Sequence, residues 1–502
     1  MSPYSLTRLK NNEDVVHHRE LLLLSPAESY GQDLGKVHLS VIYLETTRAQ
    51  TRDQAAVRTL NKMQILLAKG PGGLSFCLNV ECVAYRTVPL FTFCLLPYTF
   101  NMKDTQIKKF LEAEKKRQKK VVNLIASENV VSKDVLEALG SELTNKYAEG
   151  YPGKRYYGGN DVVDQIESLA QARALKLFGL SSEKWHVNVQ PLSGSPANLA
   201  VFLALVPKEG KIMGMSLAHG GHLTHGQKVS ATGKFWTSVQ FGVDQKTELL
   251  DFEVIKKQAM AEQPNIIVAG FTAYPRIVDF KKFREVADAC KAILMVDMSH
   301  FAGLVAGKAY PSPFEYADVV TTTVHKTLRG PRSALIFMRK DKTKLDAKGK
   351  EVSFADLIDK AVFPGLQGGP HLNQVAAVAV ALKEASTGAF KQYAKQVVKN
   401  AKVLADELSK RGWRIISGGT DSHLVLIDTW MNGTGISGKE ASDRLEKEEI
   451  IVNKNGIPFD TRSPVDPSGI RVGSAAETTR GRKEKDFKKI AERIDMILRK
   501  KK

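Results

Sequence analysis

Cysteine is scarce in this chain, four in 502 residues. That is too few for a disulfide framework and points to a reducing compartment, with the cytoplasm as the expected location. Only Cys290 lies beyond the first hundred residues, and it reads as a buried or semi-buried thiol without a partner. Long apolar runs are missing too. A membrane helix needs roughly 18 consecutive apolar residues, and the nearest approach, residues 87–100, is broken by Pro89 and Pro97. A membrane is therefore not an expected partner. Metal-ligand spacing is absent: the histidines of Ser216-Leu217-Ala218-His219-Gly220-Gly221-His222-Leu223-Thr224-His225-Gly226 have no nearby cysteine or carboxylate to complete a set. The net charge of +19 comes without a nucleic-acid motif. Its lysines alternate with glutamates, as in Glu112-Ala113-Glu114-Lys115-Lys116-Arg117, which reads as a solvated surface rather than a nucleic-acid face.

What is present is enough apolar content, 43%, to bury a core in more than one domain. Beyond residue 102 strand-like and helix-like runs alternate. Residues 104–119 read as a charge-rich amphipathic helix and residues 162–178 as a second helix. Strands follow at residues 211–215, 265–270, 292–297, 319–323 and 334–338. That alternation implies an α/β fold with a mostly parallel sheet covered on both faces. Residues 375–382 form a nearly continuous apolar helix, a connector to a second unit. There Val397, Ala401, Leu404 and Leu408 line a helix face and residues 423–428 read as a strand.

Two of the strand-like runs carry chemistry. Ala292-Ile293-Leu294-Met295-Val296-Asp297 ends on a carboxylate, and Val319-Val320-Thr321-Thr322-Thr323-Val324-His325-Lys326 ends on an amine. Open α/β sheets place ligands at the carboxyl ends of their strands. A lysine and an aspartate so presented suit pyridoxal phosphate: the amine can bond to its aldehyde, and the carboxylate can hold its ring nitrogen protonated. Ser193-Gly194-Ser195-Pro196-Ala197-Asn198 precedes the apolar run 199–205 and reads either as a plain serine N-cap or as a phosphate cradle at a helix N-terminus. Phe363-Pro364-Gly365-Leu366-Gln367-Gly368-Gly369-Pro370 reads as a loop or as a close backbone approach to a ligand. An imidazole of the histidine-glycine segment can stack on an aromatic cofactor. The tyrosine-glycine stretch 144–159 has the composition of a functional loop.

Together these blocks closely resemble the serine hydroxymethyltransferase family, with Leu124-Ile125-Ala126-Ser127-Glu128-Asn129 and Ser468-Gly469-Ile470-Arg471-Val472-Gly473 completing the set in the family's order. The resemblance runs from about Met102 to the C-terminus. It implies a pyridoxal-phosphate fold of type I, aspartate-aminotransferase-like, with a large domain bearing the mostly parallel sheet and a smaller C-terminal α/β domain. The implied activity is reversible transfer of the serine hydroxymethyl carbon to tetrahydrofolate, giving glycine and 5,10-methylenetetrahydrofolate. A folate-independent aldolase acting on threonine-like 3-hydroxy amino acids is the alternative. By resemblance, Lys326 holds the cofactor, Asp297 pairs with its ring nitrogen and His222 stacks on its face. Ser193, Gly194 and Ser195 take the phosphate, joined by Tyr147 and Gly369 of a second subunit. Thr272, His300 and His325 contact the cofactor, and Thr323 stands beside the lysine. Arg471 grips the substrate carboxylate, with Ser127 and Tyr157 completing that pocket. Glu149 moves the proton in the transfer, and Leu217, Gly221 and Asn455 contact the folate, whose acidic tail some surface lysines can attract.

The sequence departs from the family pattern at Val324, where threonine is common, and at Ser474-Ala475-Ala476, where many members carry Thr-Pro-Ala. His371-Leu372-Asn373 and the end at Lys502 favour a homodimer with shared active sites over a tetramer. The expected division is 102–385 for the arm and large domain and 386–502 for the small one. Residues 1–101 show no sustained period and carry acidic residues that a transit peptide avoids. They are expected to be upstream translation from a misplaced start, with a targeting segment as the alternative.

Overall fold

The computed structural model describes residues 102–346 and 348–500. Within residues 1–101 only the backbones of five short strands are described, so the expectation about that segment lies outside the described residues. Residues 1–112 and 113–502 form two compact units. In the first, His17–Leu21, Tyr43–Thr47 and Arg58–Thr59 make an antiparallel sheet, and Gln64–Gly70 pairs with Gly73–Asn79. The helix Thr105–Lys120 buries none of its side chains.

The second unit is built on a seven-stranded sheet. In chain order its strands are β1 (Trp185–Asn188), β2 (Lys211–Met215), β3 (Thr237–Phe241), β4 (Ile266–Ala269), β5 (Ile293–Asp297), β6 (Val319–Thr323) and β7 (Ala334–Arg339). In space they run β3-β2-β4-β5-β6-β7-β1, parallel from β3 to β6, with β7 antiparallel to both of its neighbours. The five strands read from sequence are all present. The two outermost, β1 and β3, were not anticipated: each is short and partly open on one side, so neither shows the continuous apolar run of an inner strand.

Period-two alternation divides each inner strand between two cores. Ile267, Leu294, Val296, Val320 and Phe337 face one apolar cluster, while Ile266, Val268, Met295, Val319 and Ile336 face the other. Helix α1 (Asp161–Phe178) and helix α3 (Leu372–Ala385) cover the first face, and α2 (Gly194–Leu205) covers the second. Full burial stabilises each such side chain by about 1.5–3 kcal/mol. Gly179 ends α1 in the left-handed region, φ 72°, donating to Leu175 O and Lys176 O.

A second, smaller sheet comprises β8 (Arg414–Ile415), β9 (Leu424–Asp428), β10 (Asn453–Asn455) and β11 (Gly469–Gly473), in the order β8-β9-β11-β10. Its core includes Val425, Ile427, Ile470, Val472 and the Phe487–Leu498 face of the last helix. The long helix α4 (Gly388–Lys410) serves both cores. Phe390, Tyr393, Ala394 and Val397 pack into the large one, and Ala401, Leu404 and Leu408 into the small one. The apolar helix α3 packs Val375, Val378 and Leu382 into the large core, while Leu372 at its start meets Ala148 and Val163. Among the described residues, no helix is long and apolar enough to cross a membrane, and no group of three or more His, Cys, Asp or Glu side chains is placed to hold a metal.

Candidate active site

Strands β5 and β6 are adjacent and parallel, with Asp297 opposite Thr321, two residues before β6 ends at Thr323. Lys326 follows three residues beyond β6. One pocket at this edge is lined by Gly194, His222, His225, Phe271, Thr272, Asp297, Ser299, His300, Thr323 and Lys326. Seven residues expected from sequence thus converge on one cleft, from segments up to 132 positions apart.

Burial strips water from the Lys326 amine and lowers its pKa to about 8. Asp297 pulls the other way, while Arg471 and Arg332 add to the lowering. Its Nζ lies 3.3 Å from Thr323 Oγ1. An amine partly neutral near physiological pH is a nucleophile, which an exposed lysine is not. Asp297 is buried, and burial alone would raise its pKa. Hydrogen bonds from His225 Nε2 (3.1 Å) and the Ser299 N–H (3.1 Å) outweigh that and hold it well below the usual carboxylate range. A permanent carboxylate in a dry site is suited to a protonated ring nitrogen.

Burial, with the charges of His225 and Lys326, lowers the His222 imidazole to about 4, so it is neutral at physiological pH. Burial also drives His325 down to about 3 and leaves its Nδ1 without a partner. His300 is enclosed and held well below its ordinary value by burial and by Lys326. Its Nδ1 sits 3.3 Å from His423 Nε2, the two rings stacked.

The phosphate cradle has the geometry an anion needs. Ser193 is the N-cap of α2, yet its side chain makes no capping bond, and the first intrahelical bond is Ala197 N–H to Ser193 O. The hydroxyls of Ser193 and Ser195 and the N–H groups before that bond are left to a ligand. Gly194 is required by close packing, since a Cβ there would lie 2.7 Å from Thr323 Cγ2.

Arg471, on β11, is 9% exposed. Its Nη1 donates to Thr272 O at 2.6 Å, and its Nε and Nη2 donate to Asn453 Oδ1 at 3.3 and 2.8 Å. Burial lowers its pKa only to about 10, so it stays charged. Among the described residues no carboxylate forms an ion pair with it. A buried cation without an anion is costly unless a ligand supplies one. The Gly473 N–H donates to Leu124 O at 2.7 Å, bringing the segment that leads to Ser127 beside this strand.

Leu217 and Gly221 bracket a tight turn. Thr272 Oγ1 donates to Gly221 O at 2.9 Å, and His219 meets Phe459 edge-on at 4.6 Å, which draws the loop carrying Asn455 toward the same turn.

Four expected residues lie outside this pocket's lining and form a cluster of their own. Tyr147 donates to Glu149 Oε1 at 3.2 Å and packs edge-on against Tyr157 at 5.1 Å, and Gly369 lies under the Tyr147 ring. Tyr147 and Tyr157 are exposed. Their loop is tied down by Arg155, whose guanidinium pairs with Asp164 (2.9 Å) and Glu167 (2.5 Å) and donates to the carbonyls of Ala148 and Gly150. Sequence reasoning gave no role to Arg155, Glu167, Asn453 or His423. Their work is to fix other groups, and nothing in local sequence marks such a residue.

The residues present fit pyridoxal phosphate: an activated amine, a buried carboxylate, a flat neutral imidazole and an anion cradle share one cleft. The family model described as serine hydroxymethyltransferase matches residues 100–494. The chain is 54% identical over 378 residues to the serine hydroxymethyltransferase of Desulfotalea psychrophila, covering 75% of this chain and 84% of that one. It is 50% identical over 403 residues to the probable cytosolic serine hydroxymethyltransferase of Schizosaccharomyces pombe, covering 79% and 85%.

Proposed function

This chain belongs to the serine hydroxymethyltransferase family, and we infer from that membership and from the site's chemistry how its residues divide the work. The protein is a pyridoxal-phosphate enzyme of fold type I. It transfers the hydroxymethyl carbon of serine reversibly to tetrahydrofolate, giving glycine and 5,10-methylenetetrahydrofolate. Bound at this site, the cofactor supplies an electron sink for the pair left on the amino acid's α-carbon when a bond to it breaks.

In our reading Lys326 holds the cofactor covalently, Asp297 keeps the ring nitrogen protonated, and His222 lies against the ring. Ser193, Gly194 and Ser195 bind the phosphate, while Thr272, His300, His325 and Thr323 close the remaining sides. Arg471 takes the amino-acid carboxylate, with Ser127 and Tyr157 beside it. The Glu149 carboxylate moves the proton of the serine hydroxyl. Leu217, Gly221 and Asn455 face the folate. The observation that carries this assignment is the buried, unpaired Arg471 guanidinium beside a buried amine of lowered pKa. The test is spectroscopic: the protein loaded with cofactor changes its visible absorbance on addition of glycine, and changes again with tetrahydrofolate. A response to glycine that ignores tetrahydrofolate favours the folate-independent aldolase.

The reading extends to a homodimer. Tyr147, Glu149, Tyr157 and Gly369 cluster together, two of them exposed, and not in the lining of the pocket around Lys326. Serving a second subunit's pocket accounts for that placement. Mixed dimers of Lys326→Ala and Glu149→Gln would then regain one functional site, and recovery of no activity on mixing overturns the shared site. Location in the cytoplasm and the division at residue 385 belong to the same proposal. The Schizosaccharomyces pombe relative is named cytosolic, and helix α4, just past that position, serves both cores.

A further inference from the structure

Asn198, the fifth residue of α2, is 1% exposed and uses every hydrogen of its amide. Its Nδ2 donates to Asp297 Oδ2 at 2.9 Å and to Thr224 Oγ1 at 2.9 Å, and its Oδ1 accepts from Thr321 Oγ1 at 2.7 Å. The amide can sit only this way round, because the reverse would set its oxygen against the Asp297 carboxylate. Thr224 then has its oxygen occupied by an incoming donor and its own proton to place. That proton goes to His222 Nδ1, 2.7 Å away.

The Thr224 backbone N–H also points at His222 Nδ1, at 3.2 Å. A backbone N–H can only donate, so Nδ1 must carry a lone pair. The neutral ring therefore bears its proton on Nε2, the edge for which the described residues provide no hydrogen-bond partner. The tautomer follows from two donors, one of which has no alternative.

We propose that Asn198 and Thr224 are positioning residues which fix the tautomer and plane of His222 while anchoring the Asp297 carboxylate, so that one amide sets both the group over the cofactor ring and the group at its ring nitrogen. Asn198 lies on the same helix whose N-terminus offers the phosphate cradle, so three points of cofactor contact are referred to one rigid element. The proposal rests on the reading that this pocket takes pyridoxal phosphate.

The test is made on the holoenzyme with ¹⁵N-labelled histidine, the His222 signals being identified by their loss in His222→Gln. The wild type is expected to show a pyridine-type Nδ1 and a pyrrole-type Nε2 at neutral pH. An Nδ1–H ring or an imidazolium overturns the proposal with no variant needed. Thr224→Val keeps the shape and removes the hydroxyl donor. The backbone N–H at 224 still holds Nδ1 unprotonated, so the tautomer is expected to persist while the Nδ1 signal shifts with the loss of one donor. Cofactor binding is expected to weaken about tenfold, the order expected for loss of an outer-shell hydrogen bond, with Thr224→Ser restoring both. Asn198→Asp, which sets a second carboxylate against Asp297, is expected to weaken cofactor binding by more than Thr224→Val does. A Thr224→Val holoenzyme with an unshifted Nδ1 signal and cofactor affinity within about twofold of wild type refutes the positioning role. A wild-type protein that takes up no cofactor refutes the site reading instead.

Discussion

Arg471 permits a prediction with a worked magnitude. A guanidinium has five N–H donors. Three are used by Thr272 O and Asn453 Oδ1, which leaves two, one on each terminal nitrogen, for the two oxygens of a carboxylate. Removing one partner of a buried, hydrogen-bonded ion pair costs about 3–5 kcal/mol, roughly a hundredfold to a few thousandfold in affinity. Arg471→Ala should therefore weaken glycine and serine binding by that factor while the cofactor's visible absorbance persists, since Arg471 is not among the residues lining the Lys326 pocket. Thermal stability should fall little, because burial already opposes the charge in the ligand-free protein, as its lowered pKa of about 10 records. Arg471→Lys should recover little affinity, since an ammonium cannot form two parallel bonds and also hold Asn453. The assay is a spectral titration with glycine beside a thermal melt. If Arg471→Ala binds glycine within about threefold of wild type, a difference too small for a lost buried pair, the carboxylate site is elsewhere.

Three further outcomes are expected. Lys326 has its pKa depressed to about 8, so the unfolded chain binds the extra proton between about pH 8 and 10.5, and stability should rise with pH across that window. Lys326→Ala should abolish the rise along with nearly all turnover, and a melt of the cofactor-free protein that is equally pH-dependent in both forms contradicts the shift. Glu149→Gln should bind glycine normally yet lose folate-dependent serine cleavage by about 10²–10⁴-fold, the usual worth of a proton-transfer group; unchanged cleavage would remove Glu149 from the chemistry. A chain begun at Met102 should fold, bind cofactor and turn over as the full chain does, and insoluble expression of that truncation would show that the first hundred residues contribute to the fold.

The sequence by itself determined the inner sheet and the chemistry at its edge. Buried parallel strands need apolar side chains on both faces, so Ile266–Ala269, Ile293–Asp297 and Val319–Thr323 stand out as runs, and a polar residue ending such a run is conspicuous. The edge strands Trp185–Asn188 and Thr237–Phe241 escaped notice because partial exposure relaxes that demand. Apolar content alone makes α3 conspicuous, whereas the helix whose side chains enter both cores, Gly388–Lys410, is amphipathic along its whole length and changes partner midway. Only the tertiary structure decided which residues support the chemistry. Arg155, Asn198, Asn453 and His423 act through hydrogen bonds whose farthest partners lie 12 to 123 positions away, a distance over which no local pattern carries information. The lowered pKa values of Lys326 and His222 likewise arise from burial by distant segments. A sequence names the groups able to react, but their protonation depends on water excluded by the rest of the fold.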